Sequence, residues 1–385
     1  MPTESRDFDI VLLGATGFTG GLIADYLARE APSAVRIALA GRDETRLEAV
    51  RAATGRGFEL SVVDATDGAA LRRLTARTRV LITTVGPYIV HGEPVVAACA
   101  DTGTDYLDLT GEPEFADLTY LRHQARAVAT GARLIHACGF DSVPHDLGAQ
   151  FTVDQLPEGV PVTVRGYVRM HGTFSGGTAA SAMEIMGRMR QGRSTRHVRT
   201  QVEPEPEGRR VQVVGGRPGH DADTGWWVVP LPTIDPLVVT QSARQLPRYG
   251  PDFRYSHFWA GSTPVAAAGL IGGAAALFVA AQVPVARRAL TRMRPAGSGP
   301  SVAQREAAWF AVRFIGQTDG TRVVTEVAGG DPGYSETSKM ISEAALCLAI
   351  DDLPDTAGQV TTASAMGPAL RSRLQAAGIR FTVLG

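Results

Sequence analysis

Short apolar runs alternate with longer segments of helical spacing over the first 140 residues. Each run has the length of a buried strand, and the apolar positions between runs recur every three or four residues, as in a helix packed on a sheet. The runs lie at 8–13, 35–40, 58–63, 80–85, 106–109 and 133–138. This alternation predicts an α/β fold built on a doubly wound parallel sheet with right-handed crossovers.

The alternation ends after Gly139, and longer strands follow that are no longer separated by helices. They are predicted at 162–171, 226–229, 308–316 and 321–328. This change predicts a second, α+β domain for substrate binding and oligomerisation. We expect the first domain to cover 1–142, the second to cover 143–335, and the helices and strand of 336–385 to return towards the first.

Two ranges of the second domain differ from the rest. A helix is predicted from Gly176 to about Met189, and after it the range 191–223 is rich in Arg, Glu, Pro and Gly, which predicts an exposed excursion. The range 264–286 contains no charged residue and is mostly Ala and Gly. It is followed by Arg287, Arg288, Arg292 and Arg294.

Three interpretations of 264–286 remain open. A buried helix of the second domain would use Gly269 and Gly273 for close packing. A membrane span is less favoured, because Ala and Gly insert weakly. A docking surface would place 264–294 at the inner face of the plasma membrane, where the arginines face anionic headgroups.

Composition and charge limit the class of protein. Apolar residues make up 44% of the 385-residue chain and charged residues 20%, an ordinary globular balance. A formal net charge of −1 argues against a nucleic-acid partner. The three cysteines, Cys99, Cys138 and Cys347, contain no close pair, which argues against a disulfide framework and a metal site. No secretory signal precedes the first strand, so we expect a cytoplasmic protein.

A glycine-rich turn lies between the first predicted strand and the first predicted helix. Its sequence is Gly14-Ala15-Thr16-Gly17-Phe18-Thr19-Gly20. In a dinucleotide-binding, Rossmann-type domain this turn holds the pyrophosphate on the free N–H groups of the helix. Gly14 would allow the turn, Gly17 would let the phosphates approach, and Gly20 would let the helix pack on the strand. The alternative is a glycine turn in an ordinary α/β domain.

The end of the second strand indicates which dinucleotide binds. An acidic residue at this place binds the ribose 2′-hydroxyl of NAD, whereas an arginine suits the 2′-phosphate of NADP. Ala40-Gly41-Arg42 contains no acid, and Arg46 lies one turn further along the next helix. We therefore predict NADP(H) as the cofactor, unless both arginines are solvated surface charges.

The ends of the later strands supply the remaining candidate residues. Asp64 ends the third strand near the expected adenine, although an aspartate in a turn is as good an explanation. Val85, Gly86 and Pro87 end the fourth strand, where the chain turns beside the ribose and nicotinamide. All these strand ends open on one cleft.

Three residues are candidates for the reaction itself. Tyr88 and His91 follow in the loop and are placed to reach a substrate, and Asp141 follows the sixth strand. A structural histidine is the more common case, and Asp141 or Ser142 also suits the cap of the next helix. Lys339 is the only lysine and has Ser335 four residues before it, so the Tyr-x-x-x-Lys pair of short-chain dehydrogenases is absent.

Several of these motifs together resemble the saccharopine dehydrogenase-like oxidoreductases. They are Gly14–Gly20, Ala40–Arg42, Val85–Tyr88, Tyr106–Glu112, Gly139–Pro144, Ser175–Thr178, Pro332–Tyr334, Lys339–Leu348 and Ala365–Pro368. Within that family the chain is most similar to the actinobacterial trans-acting enoyl reductases. The resemblance implies NADPH-dependent reduction of an enoyl thioester and a polyketide synthase or acyl carrier as partner.

The resemblance leaves alternatives to be tested. The family also contains enzymes that act on C–N bonds, although the arginines that bind amino-acid substrates in the lysine-pathway enzymes have no clear counterpart here. A third possibility is an NADP-bound sensor or scaffold without turnover. We also expect that the chain is able to form a homodimer.

Overall fold

The computed structural model describes residues 6–172, 187–282 and 299–385. Its first sheet has seven strands, all parallel. They are β1 Phe8–Leu13, β2 Ile37–Gly41, β3 Glu59–Val62, β4 Thr78–Thr83, β5 Asp105–Leu107, β6 Arg133–Ile135 and β14 Gly358–Val360. Their spatial order is β14-β6-β5-β4-β1-β2-β3, which contains the order 3-2-1-4-5-6 of a dinucleotide-binding sheet. The predicted Rossmann-type domain is confirmed, and the strand order reverses between β1 and β4.

Both faces of this sheet are covered, because its strands are apolar at consecutive positions. In β1, Ile10 and Leu12 pack into one core, and Val11 and Leu13 pack into the other. The covering helices are α1 Phe18–Glu30, α2 Glu44–Thr54, α3 Gly68–Thr75, α4 Tyr88–His91, α5 Glu93–Thr102, α6 Pro113–Thr130 and α7 Val143–Asp154. Two of these helices begin at capping aspartates: Asp43 accepts a hydrogen bond from Arg46 N, and Asp67 accepts from Ala69 N and Ala70 N.

The second sheet has eight strands of mixed direction. They are β7 Val162–His171, β8 Arg210–Val213, β9 Gly219–Asp221, β10 Trp226–Pro230, β11 Asp252–Gly261, β12 Trp309–Gln317, β13 Arg322–Gly329 and β15 Arg380–Val383. The order is β15-β13-β12-β7-β11-β10-β9, with β8 paired to β11. Helix α7 leads from the first sheet onto this one, and a Cβ at Gly148 would lie only 2.3 Å from the Phe314 ring. The two domains therefore share a tightly packed helix.

The other described helices connect and cover the second sheet. They are α8 Met189–Val202, α9 Asp235–Gln245, α10 Pro264–Gln282, α11 Val302–Glu306, α12 Ser335–Ile350, α13 Thr362–Ala365 and α14 Gly367–Ala376, with a 3-10 turn at Pro247–Tyr249. Helix α12 is buried along most of its length and packs against α1. The range 336–385 thus contributes β14 to the first sheet and β15 to the second.

The range 191–223 is largely exposed, as expected, but it is not irregular. It contains most of α8 and both β8 and β9. Arg199 in α8 is buried, pairs with Asp117 and Glu203, and lies 4.2 Å above the Tyr120 ring. The composition of 191–223 indicated an exposed excursion. Composition alone does not show that an arginine pairs with acidic residues elsewhere in the chain. The Ser175–Thr178 motif and most of the helix predicted from Gly176 to Met189 lie outside the described residues.

Helix α10 contradicts the buried-helix interpretation of 264–286 within the single chain. Val265 is 78% exposed, Val279 63% and Phe278 43%. A Cβ on Gly269 or Gly273 would meet no atom within 4 Å, so neither glycine packs closely on this chain. Among the described residues, no helix has the length and apolar character that crossing a bilayer requires. The arginines from Arg287 to Arg294 lie outside the described residues.

Candidate active site

The candidate site lies where the carboxyl ends of the parallel strands meet. The loops after β1, β2, β4, β5 and β6 open on the same edge, at the reversal of strand order between β1 and β4. Open α/β sheets bind their ligands in the crevice at this place. The geometry of each loop decides which predicted residues are able to contribute.

The glycine turn has the geometry that its spacing predicts. Gly14 has a φ of +90°, and a Cβ there would lie 2.6 Å from Thr84 Oγ1. A Cβ at Gly20 would lie 2.2 Å from Gly14 O, so helix α1 packs directly on the turn. Gly17 is exposed and forms the N-cap of α1, and no side chain caps that helix. The first N–H groups of α1 are therefore not bonded to a capping side chain and are suited to an anion.

The rest of the turn is held by contacts from elsewhere in the fold. Arg46 donates a hydrogen bond to Thr16 O at 2.9 Å. The Phe18 ring packs edge-on against Tyr334 of the second domain, with ring centroids 4.9 Å apart. Thr19 is half-buried in the first turn of α1. Pro332–Tyr334, one of the recognised motifs, thus braces the glycine turn.

Arg42 is exposed after β2 and makes no ion pair with any residue in the described ranges.

Asp64 lies in a turn, which was the alternative to a place beside adenine. Its carboxylate accepts hydrogen bonds from Thr66 N and Thr66 Oγ1. The bond from Thr66 N is the largest reason that the pKa of Asp64 lies below its ordinary value, and the charges of Arg42 and His91 act in the same direction. A role for Asp64 beside adenine stays a prediction.

Tyr88 does not face the cleft, which corrects the prediction that it borders the substrate. Its side chain is buried, and its hydroxyl donates to Thr83 O and accepts from Leu109 N, both at 3.2 Å. Burial raises the pKa of Tyr88 well above its ordinary value. The hydroxyl is thus used to hold the strand ends together. The sequence showed the position of Tyr88 in the loop but not the direction of its ring.

Glu112 fixes the loop that contains Val85, Gly86 and Pro87. Its two carboxylate oxygens accept hydrogen bonds from Tyr88 N at 3.1 Å and Ile89 N at 2.8 Å. The loops after β4 and β5 are thereby tied together, with Gly86 exposed towards the cleft side. No role was predicted for Glu112, although its position shortly after the fifth predicted strand was the available signal.

His91 ends α4 and is half-buried. Its ring forms no hydrogen bond with the residues that the structure describes. A role for His91 at the substrate stays a prediction.

Asp141 stays a predicted reaction residue. It follows β6, is half-buried, and approaches Gly111, where a Cβ would lie 4.0 Å from Asp141 Oδ2. Burial raises its pKa to about 7, and the negative charge of Asp235 acts in the same direction. Neither Asp141 nor Ser142 caps the next helix through its side chain. Ser142 takes the N-cap position of α7, but its side chain forms no capping hydrogen bond.

A buried network around Asp108 sets the shape of this end of the cleft. Asp108 Oδ2 lies 2.7 Å from His136 Nδ1 and accepts from the Tyr106 hydroxyl at 2.9 Å. Asp108 Oδ1 accepts from Ala137 N and Thr110 N. The bond to Ala137 N stabilises a residue with a φ of +59°, just before the Gly139–Pro144 motif. This network was not predicted, because its members are brought together only by strand pairing.

A second buried group of polar side chains was not predicted from the sequence. His145, Asp235 and His257 each offer a ligand atom, and these atoms all lie within 4.8 Å of one another. All three residues are at most 5% exposed. They were not recognised because they come from three separate elements, α7, α9 and β11.

The residues present fit a phosphorylated dinucleotide. Gly14 and Gly20 create a turn that side chains would fill, and the N-terminus of α1 has no capping side chain. Arg42 stands exposed at the place where a 2′-phosphate would lie. No acidic side chain occurs in Ala40-Gly41-Arg42 to compete for it.

Comparison with known proteins agrees with this geometry. The family model for the saccharopine dehydrogenase NADP-binding domain matches residues 10–134. Apo saccharopine dehydrogenase (L-Glu forming) from Saccharomyces cerevisiae aligns over 98% of this chain and 99% of its own, with a TM-score of 0.55 at 12% identity. That likeness shows the fold alone.

Three mycobacterial proteins are similar over their whole length. One from Mycobacterium tuberculosis, named provisionally as a trans-acting enoyl reductase, is 38% identical over 414 residues, with 98% of both chains covered. Trans-acting enoyl reductases of Mycobacterium leprae and Mycobacterium ulcerans are each 35% identical, again over 98% of both chains. The chain therefore belongs to the saccharopine dehydrogenase-like family that includes the trans-acting enoyl reductases, and it is an NADP-dependent oxidoreductase.

Proposed function

We propose that this oxidoreductase reduces the C=C bond of an enoyl group carried as a thioester on an acyl carrier protein or coenzyme A. The observation that carries the proposal is the cleft at the strand reversal. It combines a cradle for a phosphorylated dinucleotide with loops after β4 and β6 that are fixed from behind by Glu112 and Asp108. The names of the mycobacterial relatives support the substrate class, and a polyketide synthase or its carrier domain is the partner that this substrate implies.

The chain's residues position the reactants and leave the redox chemistry to the cofactor. When bound, NADPH supplies the hydride. The turn from Gly14 to Gly20 would hold the pyrophosphate, Arg42 would bind the 2′-phosphate, and the loop from Val85 to Pro87 would border the nicotinamide. Asp141 would border the substrate. Reduction at the β-carbon would leave an enolate, and water would supply the proton at the α-carbon.

The direct test supplies the full chain with NADPH and a trans-2-enoyl thioester, on coenzyme A and on an acyl carrier protein. We expect loss of NADPH absorbance and a product heavier by two hydrogens in mass spectrometry. The saturated thioester is the matched control and should cause no NADPH loss. Oxidation of a saccharopine-like secondary amine with NADP⁺, without enoyl reduction, would support the C–N alternative. Tight NADPH binding without turnover of either substrate would support a sensor.

We also propose that α10 rests on a membrane surface, because a helix that is apolar on every side is not stably exposed to water. Helix α10 carries no charge, and Val265, Ile271 and Val279 are all exposed. A membrane contact here would bring the enzyme close to long acyl chains. The helix begins shortly after β11 and contacts both β10 and β11, so it is connected to the second sheet.

Flotation with anionic liposomes tests this contact. The wild-type protein should float with the liposomes. The Phe278→Glu variant should not float, whereas the Val302→Glu variant, changed at an exposed valine on α11, should float like the wild type. Replacing Arg287, Arg288, Arg292 and Arg294 by Gln, or adding salt, should weaken binding if the arginines meet headgroups. A wild-type protein that stays with the unbound fraction and forms a dimer sensitive to Phe278→Glu would instead assign α10 to a homodimer interface.

A further inference from the structure

We propose that His145, Asp235 and His257 bind one divalent transition metal ion between the two domains. Two imidazoles and one carboxylate form a donor set that zinc and other first-row divalent metals accept. This inference does not depend on the proposed reaction, since it rests on the positions of three buried side chains relative to one another.

The distances between the donor atoms are those of ligands that share one ion. His145 Nδ1 lies 2.9 Å from Asp235 Oδ1, and His257 Nε2 lies 3.8 Å from Asp235 Oδ2. Two ligands of a tetrahedral zinc, each with a bond of about 2.1 Å, are separated by roughly 3.4 Å. The observed pair distances lie on either side of this value, so small side-chain rotations are sufficient to close the site.

The polar atoms of this group satisfy one another only in part. His145 Nδ1 and Asp235 Oδ1 form an ion pair at 2.9 Å, but their geometry is not that of a good hydrogen bond. His145 Nε2 is buried without a partner among the described residues. Buried polar groups are nearly always paired, so two such side chains turned towards each other indicate a shared ligand.

His257 is already oriented as a metal ligand. Its Nδ1 lies 3.0 Å from the hydroxyl of the buried Tyr255. Metal-binding histidines commonly donate their second ring N–H to such a partner, which fixes the tautomer and leaves the other nitrogen free. With Nδ1–H donating to Tyr255, the lone pair of His257 Nε2 points to the side of Asp235.

The positions of the three residues give the ion a structural role. His145 lies in the first turn of α7, Asp235 begins α9, and His257 lies in β11 of the second sheet. An ion held here would join the helix that leaves the first sheet to a central strand of the second. We therefore expect metal binding to raise the melting temperature of the full chain.

The test uses purified full-length protein, stripped with a chelator and then equilibrated separately with Zn²⁺ and Co²⁺. We expect about one ion per chain after gel filtration, by elemental analysis. His257→Ala and Asp235→Asn should each weaken Zn²⁺ binding at least tenfold and remove the metal-dependent rise in melting temperature. His136→Gln is the matched control, since His136 is equally buried and also faces an aspartate, and it should retain the ion.

The cobalt spectrum keeps the proposal testable if the ligand variants fold poorly. Wild-type protein with Co²⁺ should show the intense visible absorption of a four- or five-coordinate site. A weak octahedral spectrum, less than one-fifth of an ion per chain, or equal metal content in His257→Ala and wild type would overturn the proposal. The three residues would then form a polar contact only.

Discussion

Gly20 and Gly21 are neighbours in α1 but have very different surroundings. A Cβ at Gly20 would lie 2.2 Å from Gly14 O and 2.9 Å from Ala15 Cα, which are backbone atoms. A Cβ at Gly21 would meet nothing within 4 Å. We expect Gly20→Ala to lower the free energy of unfolding by about 1–3 kcal/mol through overpacking and to abolish NADPH binding.

Gly21→Ala is the matched control, and it should raise the free energy of unfolding by about 0.5–1 kcal/mol, since alanine is the better helix former. Urea unfolding and NADPH titration measure both effects. Equal behaviour of the two variants would show that the close packing of α1 on the turn is not needed for the site.

Arg42 is the residue that we expect to distinguish NADPH from NADH. Arg42→Ala should weaken NADPH binding by about tenfold to a hundredfold and leave NADH binding unchanged, because the lost hydrogen bonds are to a charged phosphate. Arg51→Ala, at an exposed arginine later in α2, is the control. Calorimetry of both variants measures the effect. Unchanged NADPH affinity in Arg42→Ala would contradict the assignment.

Tyr88→Phe should affect stability more than turnover. Loss of the hydroxyl leaves Leu109 N and Thr83 O without that partner, which we expect to cost about 1–3 kcal/mol in unfolding free energy. The kcat of the folded variant should remain within threefold of wild type, and His91→Ala should behave similarly in turnover. A variant that binds NADPH normally but has no enoyl reduction would identify that side chain as the proton donor.

At the scale of elements, strands β1 to β6 of the first sheet were predictable because each lies in a short, largely apolar run. Four strands, β8, β9, β11 and β14, were not predicted. β14 has three residues, too few to show a period, and it is held by pairing with β6 and by Gln359, whose side chain bonds to Ala116 O. β11 contains Ser256 and His257, which are polar but buried, so its pattern does not indicate a central strand.

The candidate site was predictable to the extent that backbone geometry defines it. Glycine spacing indicated the close contacts at Gly14 and Gly20, because only glycine fits them. The direction of a side chain depends on neighbours distant in sequence, which is why the role of Tyr88 was predicted wrongly. For the same reason the grouping of His145 with Asp235 was not predicted.

The ion pair between α12 and α14 should make the free energy of unfolding depend on pH in the acid range. Arg373 donates hydrogen bonds to both carboxylate oxygens of Asp351, at 2.5 and 2.6 Å, and these bonds hold the pKa of Asp351 below its ordinary value of 3.8. A lowered folded pKa contributes stability that is present above the unfolded pKa and lost as pH falls through the folded one.

Asp351→Asn should therefore be less stable than wild type at pH 7, and the difference should shrink below about pH 4. Asp352→Asn, at the exposed neighbour, is the control and should follow the wild-type curve. Urea unfolding at a series of pH values measures both. A difference that is constant down to pH 2 would show that the carboxylate's charge does not stabilise this link.

At the scale of the whole molecule, α12 and the residues just before it support the cofactor-binding domain. Phe140 N donates to Thr337 Oγ1 of α12, and the Tyr26 hydroxyl of α1 donates to Glu343 Oε1 at 2.7 Å. Tyr334 packs on Phe18 from the same side. Substitutions in α12 should consequently alter NADPH affinity although they lie far from it in sequence.

The position of β14 late in the sequence also means that the first sheet is completed late during translation. Six strands of the first sheet leave the ribosome early, but the partner of β6 follows only after seven strands of the second sheet. Until then the nascent chain carries an unpaired strand edge, a common starting point for aggregation. A recombinant fragment that stops at residue 142 would keep that edge bare, so the cofactor-binding half should be studied within the full chain.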